Sequence, residues 1–149
     1  MSLAIFADAL TGLPVSHVWR GHGSALFVEF GRLQSQTRRD GSSGAPQGAI
    51  TLMIEWSWRI EGPGSILVGS WSDEFGWNKV FEKLLGANVV SAETFGLLPE
   101  IAISLSNGLR IVSFMTAEGQ PQWSLISRLT PKGSLSVKEG RLYVEPLSS

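Results

Sequence analysis

Between Ile50 and Glu61 apolar and polar residues alternate without a break. Ile50, Leu52, Ile54, Trp56, Trp58 and Ile60 fall on one side of an extended chain, with Thr51, Met53, Glu55, Ser57, Arg59 and Glu61 on the other. A helical period would scatter those apolar residues around a whole cylinder, so the segment reads as one antiparallel strand with a single face in a core. Glu55, Arg59 and Glu61 then form a polar ladder on the wetter face.

The flanking segments fit the same architecture. Val15–Arg20 and Ser24–Phe30 read as strands joined through Gly21-His22-Gly23. Residues 32–48 are rich in Ser, Gly, Arg and Gln and read as the one long mobile loop. Gly62-Pro63-Gly64 turns the chain into Ser65–Trp71. The period then changes: Trp77, Val80, Phe81, Leu84 and Leu85 recur at helical spacing, and Gly86 stands where a left-handed cap is wanted. One helix is expected, from Asp73 to Leu85. Asn107-Gly108 predicts a two-residue type I′ hairpin pairing Ile103 with Val112 and Ile101 with Phe114, while Glu139-Gly140 predicts a second. About eight or nine strands and one main helix make an α+β fold, mostly antiparallel sheet curled into a half-barrel or sandwich. No repeat or linker divides residues 1–149, so a single domain is expected.

Composition narrows the function classes. The 149 residues carry a net charge of −1 with scattered Lys and Arg, so no basic stripe is available to neutralise nucleic acid. Cysteine is absent, which removes disulfides, thiolate metal sites and cysteine nucleophiles and fits a reducing interior. The apolar start, Met1 to Leu10, lacks a basic flank and is interrupted by Asp8, so no signal peptide is expected. No other apolar run approaches the roughly 20 residues of a membrane span. A cytoplasmic protein that does not use a membrane is the expectation.

Chemistry-bearing residues are sparse. His17 and His22 are five apart across a glycine-rich turn, not at the helical spacing that metal motifs use, so no metal ligand is assigned. Gly21-His-Gly-Ser24 and Gly41-Ser-Ser-Gly44 lack the surroundings of a nucleophile elbow or phosphate loop. Glu55, Glu61, Asp73 and Glu74 could form an acid–base pair, but exposed strand carboxylates are more often solvated partners of arginine, and no catalytic residue or cofactor is assigned. There are six tryptophans. Trp56, Trp58 and Trp77 are placed in the core by periodicity, and of the other three, Trp19, Trp71 and Trp123, only Trp19 and Trp71 are candidates for binding a ligand or partner, with Glu55 and Arg59 on the strand.

Four segments, Glu55-Trp-Ser-Trp-Arg-Ile-Glu61, Leu84-Leu-Gly-Ala-Asn-Val89, Leu105-Ser-Asn-Gly-Leu109 and Trp123-Ser-Leu125, give the chain a pattern that resembles small uncharacterised bacterial α+β domains, some of them similar to immunity proteins encoded near toxins. The resemblance rests on structural motifs over about two thirds of the chain and brings no catalytic residues with it. It implies a non-enzymatic protein-interaction module, immunity-like or accessory. The alternative is a small-molecule-binding domain or weak hydrolase with its pocket between helix and sheet. A mean hydropathy of +0.12 and a single helix about 20 Å long, too short to cover both faces of such a sheet, predict burial against another protein or a second copy, with a homodimer favoured.

Overall fold

A computed structural model describes residues 3–119, 122–129 and 132–146. In chain order the elements are α1 (Leu3–Leu10), β1 (Val15–Arg20), β2 (Leu26–Phe30), β3 (Gln34–Thr37), β4 (Ser43–Gln47), β5 (Ile50–Ile54), β6 (Trp58–Glu61) and β7 (Ile66–Gly69). A 3-10 turn (Glu74–Gly76) leads into α2 (Trp77–Leu84), followed by β8 (Val89–Phe95), β9 (Glu100–Leu105), β10 (Arg110–Ser113), β11 (Trp123–Ser127), β12 (Gly133–Lys138) and β13 (Arg141–Pro146). The described residues thus hold thirteen strands, more than the sequence predicts, and two α-helices rather than one. Every strand pairing is antiparallel. A six-stranded sheet runs β1-β2-β5-β11-β12-β13 and a five-stranded one β7-β6-β10-β9-β8. Buried side chains of both sheets and both helices meet in one cluster, among them Leu26, Leu52 and Leu125 from the first sheet and Ile60, Ile103 and Ile111 from the second.

The strand expected over 50–61 is two strands in two different sheets. Ile50, Leu52, Ile54, Trp58 and Ile60 are buried as the alternation requires, but Trp56 is 45% exposed. The chain breaks step at Glu55–Ser57 to leave one sheet and enter the other, and a side chain at the corner faces out. Backbone bonds hold that corner: Glu55 N–H donates to the Gln122 carbonyl (2.9 Å) and the Ser24 hydroxyl to the Trp56 carbonyl (2.8 Å). The buried Trp58 reaches back to the first sheet, its indole donating to the Ser24 carbonyl (2.6 Å).

Helix α2 is shorter than the expected 73–85. Asp73 caps the preceding 3-10 turn, accepting from Phe75 N–H, and the α-helical stripe of Trp77, Val80, Phe81 and Leu84 is buried. Trp77 meets Trp58 edge to face at 5.0 Å between centroids, fixing the helix against the second sheet. Leu85 lies outside the helix and is exposed, while Gly86 takes the expected left-handed conformation, φ 84°. Helix α1 occupies the apolar start, where the sequence predicts neither a signal peptide nor a helix. Its alanines favour helix, and Phe6 and Leu10, one turn apart, enter the core. The stretch read as one long loop carries a hairpin of its own, β3 with β4.

The hairpin at Asn107-Gly108 has a different register from the one predicted. Only Gly108 holds positive φ, 84°, and Leu105 pairs with Leu109 through its N–H (2.9 Å), so the loop is three residues long with a left-handed glycine at its end. The extra residue shifts the pairing: Ile103 faces Ile111 and Ala102 faces Val112. Ile111 therefore lies in the core, and Phe114, expected beside Ile101, turns outward.

Candidate functional site

The outward face of β6, the end of β7 and the segment after β10 enclose an open groove of about 380 Å³. Arg59 and Phe114 form one wall. The guanidinium lies 4.3 Å from the Phe114 ring centre and is held there by Glu61, which accepts from Arg59 Nε at 2.6 Å and from Arg110 Nη1 at 3.0 Å. Two cations share this carboxylate, and a second carboxylate, Glu100, sits behind Phe114, accepting from Met115 N–H and the Ser113 hydroxyl, each at 2.7 Å. Ile66 and Trp71 line the groove as well. Trp71 is 89% exposed, and Phe75, a few residues along the same connection, is 95% exposed.

The connection that carries Trp71 is tied down. Ser70 N–H donates to the Trp58 carbonyl (2.9 Å) while Ser70 Oγ accepts from Trp58 N–H (3.1 Å). Ser72 does the same for Gly69, with both bonds at 2.9 Å. Ser57 and Thr116 share a hydroxyl bond of 2.8 Å at the end of the groove. As acceptors, Ser70 and Ser72 keep their own protons available for a ligand. The hydroxyls have backbone groups or each other as neighbours rather than the base that a nucleophile requires. This arrangement suits binding: an apolar or aromatic group against Trp71 and Phe114, and a polar one toward Arg59 and the serines.

Of the residues singled out in the sequence, Arg59 and Trp71 come together here, and Glu55 and Trp19 do not. Glu55 sits at the sheet-changing corner. Trp19 is half-buried, stacked on Phe27 at 4.0 Å, and its indole donates to Glu29 Oε2 (2.9 Å). The other acidic candidates are also engaged: Glu61 with two arginines, Glu74 with Arg20 (2.8 Å), Asp73 in its cap. His17 lies beside α2 in a separate hollow and His22 is exposed on its turn. Among the described residues no three His, Asp or Glu side chains are grouped to hold a metal ion.

Two features escaped the sequence. The expected two-residue hairpin puts Phe114 on one face with Ile101, whereas the three-residue loop turns it outward. Glu29 is a fully buried carboxylate on β2. Besides Trp19 it accepts from Gly48 N–H (3.1 Å) and the Thr51 hydroxyl, and Arg128 Nη1 donates to Thr51 Oγ1 (2.8 Å) and to the Gly48 carbonyl (3.1 Å). Burial pulls the Arg128 pKa below its ordinary value, and attraction to Glu29 opposes that pull. This polar centre ties β1, β2 and β5 to the segment after β11 through one connected set of hydrogen bonds. It is a structural device.

Comparison with protein-family models, with curated proteins and with solved structures finds no match to this chain. Among the described residues, no helix is long and apolar enough to cross a membrane.

Proposed function

We propose that this protein is a non-enzymatic, cytoplasmic interaction module, immunity-like or accessory in role, that holds a segment of another protein in the groove at Trp71. One observation carries the reading: a tryptophan 89% exposed, on a connection held by paired backbone and hydroxyl bonds, beside an open groove lined by Arg59 and Phe114. Leaving that much aromatic surface in water is unfavourable unless a partner covers it, and rigid aromatic side chains with arginine are the usual anchors of interfaces. Strand β7 is the edge of its sheet, so an extended segment can add to its free side while its side chains enter the groove. The Arg59 guanidinium lining the groove favours a segment with a carboxylate next to an apolar or aromatic residue.

A second reading, binding of a small molecule, is supported by the groove's volume, about 380 Å³, which falls in the roughly 300–1,000 Å³ range of ligand pockets. Selection of peptides from a random displayed library, followed by counter-screening on Trp71→Ala, tests the first reading. Selected peptides are expected to lose about tenfold or more in affinity on the variant, since truncating a central aromatic anchor removes roughly 2 kcal/mol or more. A selection that enriches no sequence, or peptides that bind Trp71→Ala equally well, would overturn it. Small fragments that bind in place of peptides would support the second reading.

A further inference from the structure

We infer that β13 is a self-complementary sheet edge at which a second copy of this chain docks antiparallel about Tyr143, joining the two six-stranded sheets. This surface lies on the other sheet from the Trp71 groove and does not depend on that reading. Glu139 and Gly140 both hold positive φ, 51° and 75°, as a two-residue I′ turn requires. Such a turn closes on a hydrogen-bonded pair, here Lys138 with Arg141, and pairs alternate from there. Arg141, Tyr143 and Glu145 therefore spend their backbone groups on β12. Those of Leu142 and Val144 point off the edge, where no described strand lies.

Two copies of this edge match in antiparallel register. Leu142 exchanges backbone bonds with the partner subunit's Val144, and Val144 does so with the partner subunit's Leu142. Tyr143 meets the partner's Tyr143 on the two-fold axis, and Pro146, lacking an N–H, ends the ladder. Both faces agree with this pairing. On the core side, Leu142 is 38% exposed and Val144 half-buried at the rim of a core that already holds Leu135 and Val137, and each would be covered by its apolar counterpart. On the outer side, Arg141 stands opposite the partner's Glu145 in a non-hydrogen-bonded pair, where side chains approach most closely.

The charges are what select the second copy over other occupants. Within the chain, Arg141 faces Lys138, a like charge, whose ammonium rests on the Tyr143 ring at 4.4 Å. Neither Arg141 nor Glu145 makes an ion pair among the described residues. Like charges at these two positions would repel a second copy of the edge. Here opposite signs stand at equal distances on either side of Tyr143, so antiparallel pairing neutralises both.

Analytical ultracentrifugation of the full chain tests this, with circular dichroism confirming that each variant is folded. At about 1 mM, where a contact of millimolar Kd is half-formed, a species of twice the 16.1 kDa chain mass is expected. Arg141→Glu and Glu145→Arg should each raise Kd about tenfold or more by placing like charges face to face. The double exchange Arg141→Glu with Glu145→Arg should restore it. A wild-type chain that stays monomeric, single variants that still dimerise, or a double exchange that fails to recover the dimer would each overturn the inference.

Discussion

At the residue scale, the side chain with most to lose is Glu29. A carboxylate withdrawn from water is tolerated only where hydrogen bonds replace its hydration, and Trp19, Thr51 and Gly48 supply them. Glu29→Ala strands three donors at once and should destabilise the fold by about 2–4 kcal/mol in a urea titration. Glu29→Gln keeps one acceptor oxygen and should lose less. Equal stability of Glu29→Ala and wild type would mean that water replaces the carboxylate. In the sequence this residue looks like any outward strand carboxylate in Phe27-Val-Glu-Phe30, because its burial depends on residues 48, 51 and 128, brought over it only by the fold. Trp71 closes the strand expected over Ser65–Trp71, and it is free of the sheet because β7 ends two residues earlier, at Gly69.

At the element scale, alternation identified both halves of the 50–61 segment and missed the corner between them. Period-two patterning carries no mark of a change of sheet, since the chain stays extended on both sides of Trp56. The helix stripe was legible because Trp77, Phe81 and Leu84 repeat at 3.6 residues, and its packing gives a direct test. Phe81→Ala and Leu84→Ala should each destabilise the protein by about 2–5 kcal/mol, because the space between helix and sheets is already filled. Denaturant midpoints unchanged in both variants would place the stripe in solvent. Turns were legible only in part. Asn107-Gly108 and Glu139-Gly140 look alike in sequence, yet the first forms a three-residue loop and the second a two-residue one. That single residue decides which side chains of β10 reach the core and which, like Phe114, are left to line the groove.

At the scale of the whole molecule, antiparallel sheet with few helices follows from the pattern, and the division into a six-stranded and a five-stranded sheet does not. Under the proposed readings, function gathers at the sheet edges. One sheet ends at β7 beside an aromatic groove and the other at β13 with its paired charges, so the proposed partner and the proposed second copy need not compete. The measurement that tests the binding account most directly is an amide and indole NMR titration of the full chain with a peptide taken from the selection. The account predicts that the largest shifts gather at Ser57–Arg59, Ile66–Ser72 and Phe114–Thr116, with the Trp71 indole among them and the core indoles of Trp77 and Trp123 unmoved. Shifts that gather elsewhere on the surface and leave Trp71 untouched would contradict it.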